Sequence, residues 1–317
     1  MSVFTTLNLE EARAWLRDFA IGEIVELRGI AAGITNTNYF VITNSARYVL
    51  TIFEHHKMEE LPYFVELMTH LAKHGVPCPT PIADKNGLAL HVLKGKPALM
   101  VSCLVGDDVV TPNDAQVAQV ASALAKMHLV GQSFTGAGVN QRGAEWFRDT
   151  AQKVLPKLFA REAELLKGEL YYQMALDTSQ LPHGVVHGDL FRDNVLFDGD
   201  NLGGYIDFYY ACNDILLYDV AIAVNEWCLH HHGSDLGQID EEKMHVFLAA
   251  YQTVRPLSKL ELKLWLAMLR RAALRFWLSR LSDFYFPQDG QLTYIKDPSH
   301  FRNLLQQYLN LADDLGE

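Results

Sequence analysis

Val186-His187-Gly188-Asp189-Leu190-Phe191-Arg192-Asp193-Asn194-Val195-Leu196-Phe197 is the stretch on which the reading of the whole chain turns. Apolar, strand-like runs bracket a loop that holds His187, Asp189 and Asn194. A little downstream, Tyr205-Ile206-Asp207-Phe208 is a short apolar run that ends in a carboxylate. Phosphoryl transfer needs a group that accepts or orients the proton of the attacking hydroxyl, and oxygen ligands for the Mg²⁺ ions that bridge the phosphates. Asp189 suits the first task. Asn194, five residues on, suits an amide metal ligand, and Asp207 suits the metal-bridging carboxylate. A plainer reading makes His187 and Asp189 part of a satisfied turn and Asp207 a strand cap, but it leaves the joint occurrence of both runs as coincidence.

Outward from this loop the chain divides by texture. Residues 8–20 predict an amphipathic helix with Asn8 as N-cap. Residues 23–30, 37–43 and 47–53 predict three antiparallel strands, and 88–94 and 97–103 two more with Gly95-Lys96 at the turn. A helix over 58–74, ended by Gly75, and a breaking PCPTP run at 77–81 lie between the two sets. Beyond Gly106 the period becomes helical over 111–129, 142–177, 242–252 and 258–281, with a β island at about 185–210. The expected fold class is therefore α+β. A β-rich N-terminal lobe spans 1–103 and a mainly helical C-terminal lobe spans 104–317, joined through a connector near 102–107.

Composition narrows the class of function. The 317 residues carry 27 Lys+Arg against 38 Asp+Glu, a net charge of −11, so no general basic face exists to grip nucleic acid. Four scattered cysteines with no CxxC pair form neither a disulfide framework nor a zinc knuckle, which suits a reducing cytoplasm. Residues 1–20 lack the basic start and apolar run of a secretory signal, and no apolar stretch approaches the length of a membrane span. His230-His231-His232 are consecutive, point in different directions, and read as a solvated loop, as do His55-His56. His128 ends an apolar helix and reads as a buried structural histidine.

HGDLFRDN (187–194) followed by IDF (206–208) resembles the catalytic motif of the protein-kinase-like small-molecule kinases, the aminoglycoside phosphotransferase and choline kinase superfamily. Its Asp-to-Asn spacing is that of the protein-kinase catalytic loop. More narrowly, YVLTIFE (48–54), HGDLFRDNVLF (187–197) and IDFYYACNDILLYDVAIAVNEWC (206–228) resemble the bacterial homoserine kinases of that superfamily, and the resemblance covers nearly the whole chain. It implies a protein-kinase-like two-lobed fold, ATP and Mg²⁺ as cofactors, and phosphorylation of the side-chain hydroxyl of L-homoserine in threonine biosynthesis. It also implies a cytoplasmic enzyme with a small amino alcohol as its partner, and neither nucleic acid nor membrane. The residues by themselves reach only a kinase of a small hydroxyl compound. Choline, ethanolamine, an aminoglycoside or methylthioribose stand as other acceptors, and a catalytically silent nucleotide-binding protein stands as a different class.

The N-terminal lobe departs from the kinase pattern. Thr51 occupies the position of the strand lysine that reaches the α/β-phosphates, and no lysine precedes Lys57. Glu66 thereby loses its usual partner, and Arg28, Arg47 and Lys57 stand as alternative cations. Gly29-Ile30-Ala31-Ala32-Gly33 is a loose glycine hairpin, to which Thr35 and Asn36 add hydroxyl and amide donors for phosphate oxygens. By resemblance, Ser102 and Leu104 of the connector lie against adenine.

A zwitterionic acceptor needs a cation for its carboxylate, for which the arginine fork is suited, and acceptors for its ammonium. Arg271 and Arg275 stand four apart on one helix face, and Arg192 lies inside the loop. Asp214, Asp219 and Glu226 follow Asp207 closely. Each has a plain alternative: solvated helix charges for the arginines, a surface charge for Glu226. Asp219, with His187, reads as structural support for the catalytic loop.

Overall fold

The computed structural model describes residues 4–31, 35–287 and 296–315. The chain forms two compact units, one of residues up to Gly106 together with Gly203–Ile206, the other of Asp107–Leu202 and the residues from Asp207 onward.

The first unit opens with helix α1 (Leu9–Leu16). Asn8 accepts from the Glu11 N–H while the Glu11 carboxylate accepts from the Asn8 N–H, which closes a capping box at the helix start. Strands β1 (Ile24–Ile30), β2 (Thr37–Thr43), β3 (Arg47–Ile52), β4 (Leu90–Leu93) and β5 (Lys96–Ser102) form one antiparallel sheet in the order β1-β2-β3-β5-β4. In β2, Tyr39 and Val41 are buried and Phe40 and Ile42 less so, the alternation of a sheet with one core face. Tyr39, Val41, Leu50, Ile52 and Met100 pack on that face against Ala12 and Leu16 of α1. The β4–β5 turn is one residue earlier than expected. Lys94 and Gly95 both take positive φ (54° and 76°), the geometry that matches strand twist in a two-residue hairpin, so Lys96 begins β5. Helix α2 (Leu61–Lys73) follows a short 3₁₀ turn at Met58–Glu60 and buries Phe64, Leu67, Met68 and Leu71.

The second unit is helical around small β elements. Helix α3 (Asp114–Gly131) starts in a capping box between Asn113 and Gln116. The single helix expected over 142–177 is two, α4 (Ala144–Val154) and α5 (Ala160–Ala175), because Pro156 sits in the 3₁₀ turn Leu155–Lys157 between them. Strand β6 (His183–Val186) pairs antiparallel with β9 (Cys212–Ile215), and β7 (Val195–Asp198) pairs with β8 (Asn201–Tyr205). The end of β8 belongs with the first unit, where the Tyr205 N–H donates to the Pro77 carbonyl at 2.8 Å.

Helices α6 (Leu216–Trp227), α7 (Glu241–Val254), α8 (Lys259–Lys263), α9 (Trp265–Tyr285) and α10 (Ser299–Leu315) complete the unit. The stretch expected as one helix over 258–281 breaks between α8 and α9, where Leu264 leaves helical geometry (φ −96°, ψ 9°). Neither α6 nor α10 is among the helices expected from the pattern. In α6 nearly every residue is buried, so it has no polar face to set a period. Helix α10 buries Phe301, Leu304, Leu305 and Tyr308, a helical spacing present in the sequence. Helix α7 packs along α3, and α9 along α6 and α10. Among the described residues no helix is long and apolar enough to cross a membrane.

Candidate active site

His187 leaves β6 and the chain turns sharply at Gly188 (φ +76°). A Cβ there would lie 2.8 Å from the Tyr210 carbonyl oxygen, so only glycine fits. The His187 and Gly188 N–H groups donate to the two oxygens of Asp219, at 2.7 and 2.9 Å. Asp219 projects from α6 and is fully buried. Its Oδ2 also meets His128 Nε2 at 3.1 Å, and His128 Nδ1 pairs with the Tyr251 hydroxyl at 2.7 Å. Burial works against the Asp219 charge. The His128 hydrogen bond, the charges of His128 and His187 and the Gly188 N–H outweigh it, and the carboxyl lies below its ordinary range. A charged brace on α6 thus fixes both residues that precede Asp189. Trp227 adds a further tie, donating from Nε1 to the Leu190 carbonyl at 3.1 Å.

Asp189 is set by short contacts. Its N–H donates to His187 Nδ1 at 3.3 Å, and its carbonyl accepts from the Phe191 N–H and from Asn194 Nδ2, both at 2.8 Å. Asn194 Nδ2 also lies 3.2 Å from Asp189 Oδ2, so the amide nitrogen is committed and the amide oxygen is left for a cation. On the other oxygen, Arg275 Nη1 stands 3.6 Å from Asp189 Oδ1. Burial pushes Asp189 above the usual carboxylate range, and the Arg275 and His187 charges draw it back only in part.

Asp207 takes the left-handed backbone conformation (φ 61°, ψ 59°), uncommon for a residue with a side chain. It is crowded by protein yet keeps a side open to solvent. That crowding, and then the Asp189 charge, raises it to about 7. The Asn194 amide oxygen and the Asp207 carboxylate are oxygen donors of the kind suited to a hard divalent cation, with Asp189 beside them. The site thus fits the cation that its chemistry requires. No group of three or more His, Cys, Asp or Glu placed to hold a metal occurs among the described residues. The histidine triplet indeed diverges: His231 Nδ1 meets Arg192, His232 Nε2 meets the Thr111 hydroxyl at 2.9 Å, and His230 stands 3.7 Å from Asp240.

The other expected residues are dispersed. Arg192 donates from Nε to Glu226 Oε1 at 2.9 Å and also bonds the Val110 carbonyl, so the residues assigned to opposite ends of an acceptor pair with each other. Asp214 in β9 accepts from the Asn140 amide and, at 2.7 Å, from the Ile215 N–H. Arg271 lies over Phe147 and Tyr218, and its buried Nε has no hydrogen bond among the described residues. Arg275, almost fully buried, lies against Asp189. Tyr251, which anchors His128, is absent from the sequence reading. It comes from α7, far along the chain, and nothing near the motif signals it.

In the first unit, Gly29 sits within β1 opposite Tyr39. Gly33 lies outside the described residues. Asn36 is buried and its Oδ1 accepts from the Glu54 N–H at 3.4 Å, while Thr35 beside it is half-buried. Ser102 Oγ accepts from the Thr80 N–H at 2.8 Å, and the Leu104 carbonyl meets the Cys103 thiol. At the kinase-lysine position the Thr51 hydroxyl donates to Asn38 Oδ1 at 2.8 Å. Glu66 is exposed. Asn38 and Phe40 lie on the sheet face away from α1, and Arg28 and Arg47 both lie over the Phe40 ring at 5.3 Å. The backbone N–H of Lys57 is instead bonded to Glu60.

A base-like aspartate five residues before a metal-type amide, with a third oxygen donor after the next two strands, on a five-stranded antiparallel sheet unit and a helical unit, defines a phosphotransferase of the protein-kinase-like class. Comparison with known proteins agrees. The pattern of the phosphotransferase enzyme family matches residues 26–257. The homoserine kinase of Methylobacillus flagellatus is 52% identical over 99% of this chain and 98% of its own. That of Neisseria meningitidis serogroup B is 46% identical over 96% and 99%. Among solved structures, an amicoumacin kinase in complex with AMP-PNP, Ca²⁺ and Ami aligns at a TM-score of 0.71 and 14% identity over 97% of this chain and 94% of its own. A spectinomycin phosphotransferase in complex with ADP and spectinomycin aligns at 0.66 and 11%, over 96% and 98%. The chain belongs to the phosphotransferase enzyme family and, within it, to the homoserine kinases.

Proposed function

We propose that the protein transfers the γ-phosphoryl group of ATP to the side-chain hydroxyl of L-homoserine. The observation that carries this is the Asp189–Asn194–Asp207 cluster, held by the buried Asp219 brace in a chain 52% identical to a homoserine kinase. Asp189 orients the acceptor hydroxyl and takes its proton as the new O–P bond forms and the bond to the β-phosphate oxygen breaks, releasing ADP. Its raised affinity for a proton favours that role, and Arg275 keeps the carboxylate in place. Asn194 and Asp207 hold the divalent cation, Mg²⁺ in this reading, which when bound neutralises phosphate charge. Positioning and charge neutralisation supply most of the rate.

Residues 1–103 are the nucleotide-binding lobe in this reading, and 104–317 the catalytic and acceptor lobe. Gly29, Gly33, Thr35 and Asn36 serve the phosphates, and Ser102 and Leu104 serve adenine. Arg28 and Arg47, which share the sheet face of Thr51, supply the cationic charge that Thr51 lacks. The setting is the cytoplasm, the acceptor is a small amino alcohol, and neither nucleic acid nor membrane takes part.

The test is a panel assay of purified protein with Mg-ATP against L-homoserine, L-serine, L-threonine and choline. Homoserine is expected to exceed the others by at least about a hundredfold in kcat/KM. Turnover of choline without turnover of homoserine refutes the assignment.

A further inference from the structure

The second unit holds a cavity of about 480 Å³ beside the catalytic loop. Arg192, Glu226, Arg280, Lys296, Ser299 and His300 contribute to its lining. Its size is that of a small-molecule site. The charges around it are not evenly matched. Arg192 is paired with Glu226 at 2.9 Å, and Lys296 with Asp193 at 3.3 Å. Asp297 spends its carboxylate on the Ser299 N–H and hydroxyl at 2.8 and 2.6 Å.

Arg280 is the exception. It lies over the Phe301 ring and donates one N–H to the Asp297 carbonyl at 3.0 Å, and it has no ion pair among the described residues. A guanidinium stays charged even when partly buried, so most of its fork is left to donate. The first turn of α10, at Ser299 and His300, adds the positive end of a long helix to the same wall. Burial and the neighbouring arginines hold His231 and His300 neutral, at about 4, so they add no competing charge at pH 7. Opposite in sign, Glu226 gives only Oε1 to Arg192, and its other oxygen carries no hydrogen bond among the described residues. One unpaired fork and one free carboxylate oxygen in a single small cavity are the complement of a carboxylate and an ammonium carried on one molecule.

The cavity also adjoins the chemistry. Arg192 and Asp193 belong to the Asp189 loop, Lys296 lies over the Phe191 ring, and the charges of Lys296 and Asp193 both act on Asp189.

We propose that this cavity seats the α-amino-acid end of the acceptor alcohol, its carboxylate on the Arg280 guanidinium and its ammonium on the free oxygen of Glu226. Arg192 then acts as a positioning residue that orients Glu226. Arg280 and Glu226 set which alcohol is used, while Asp189 sets how it reacts. The inference rests on the reading of the protein as a kinase of an amino-acid alcohol.

Its test compares three acceptors: L-homoserine, 3-amino-1-propanol, which lacks the carboxylate, and 4-hydroxybutanoate, which lacks the ammonium. The wild type is expected to prefer homoserine over either by about a thousandfold or more in kcat/KM, because each analogue leaves a charged group of the site unpaired. Arg280→Met should cut the preference over 3-amino-1-propanol by about a hundredfold. Glu226→Gln should cut the preference over 4-hydroxybutanoate instead. Preferences that stay as in the wild type overturn the proposal, as does an equal loss toward all three acceptors. Should Arg280→Met fail to fold, as its melting curve would show, Arg280→Lys takes its place. The charge stays and the fork goes, so KM for homoserine should rise about tenfold or more with KM for ATP unchanged, and an unchanged homoserine KM overturns the proposal. A wild type that phosphorylates choline and not homoserine refutes the underlying function, a result distinct from any variant failing.

Discussion

Gly188 has room for a hydrogen and nothing larger. With φ at +76° and the Tyr210 carbonyl 2.8 Å from where a Cβ would stand, Gly188→Ala must bend the loop that presents Asp189. Such strain costs about 1–3 kcal/mol. The larger effect should be on rate, since a misplacement of about 1 Å at a reacting group costs about a hundredfold. We expect a melting temperature a few degrees lower, and a kcat lower by that factor or more. Asp207 is under a different tension. Crowding and the Asp189 charge raise it to about 7, so its contribution to stability in the cation-free protein is full below about pH 4 and is lost as pH rises through 7. Asp207→Asn removes that loss. It should melt higher than the wild type above pH 7 without divalent cation, gain less from added Mg²⁺, and lose turnover by at least about a thousandfold; calorimetry and a rate assay check both halves. The candidate residues Asp189, Asn194 and Asp207 could be read together because they lie close along the chain. Arg275 was legible as a charge but not in its place, because its approach to Asp189 is made by a helix distant in sequence.

Helix α9 shows how much one element can hide in its periodicity. Its arginines do separate work: Arg270 pairs with Glu169, Arg271 packs on Phe147 and Tyr218, Arg275 faces Asp189, and Arg280 faces the cavity. The charges read alike in the sequence, and only the packing of α4, α5, α6, α10 and the Asp189 loop around them assigns the tasks. Arg270 and Glu169 form a hydrogen-bonded ion pair with almost no exposure, and Arg270 also lies 3.9 Å from the Tyr172 ring centroid. Glu169→Gln leaves a buried guanidinium without its counter-charge and should cost about 3 kcal/mol in chemical denaturation, with no change in KM for either substrate. The strands of the first unit were legible within a residue or two, since alternation and turn residues mark them. Helix α6 was not, because a helix buried on every side has no stripe, and the break at Pro156 was overrun by the helical pattern on both sides of it.

At the scale of the whole molecule, a net charge of −11 offers ATP no general attraction. Phosphate handling is therefore local. Cationic charge is placed at a few points, at Arg28 and Arg47 on the sheet and at Arg275 beside Asp189, and the proposed reading assigns the divalent ion to Asn194 and Asp207. The overall organisation followed from composition and periodicity, and the acceptor class from resemblance. The cavity itself was not legible, because Arg280 and Lys296 join Glu226 there from separate elements, with no spacing to announce them. The central claim is that Asp189 directs an ATP-derived phosphoryl group onto homoserine. The most direct measurement is ³¹P NMR of protein, Mg-ATP and L-homoserine, run in parallel with Asp189→Asn. The wild type should show a new phosphomonoester resonance growing in step with ADP, and the variant should bind ATP yet form product at least about a thousandfold more slowly. An ADP resonance without the phosphomonoester, or a variant that forms product at the wild-type rate, contradicts it.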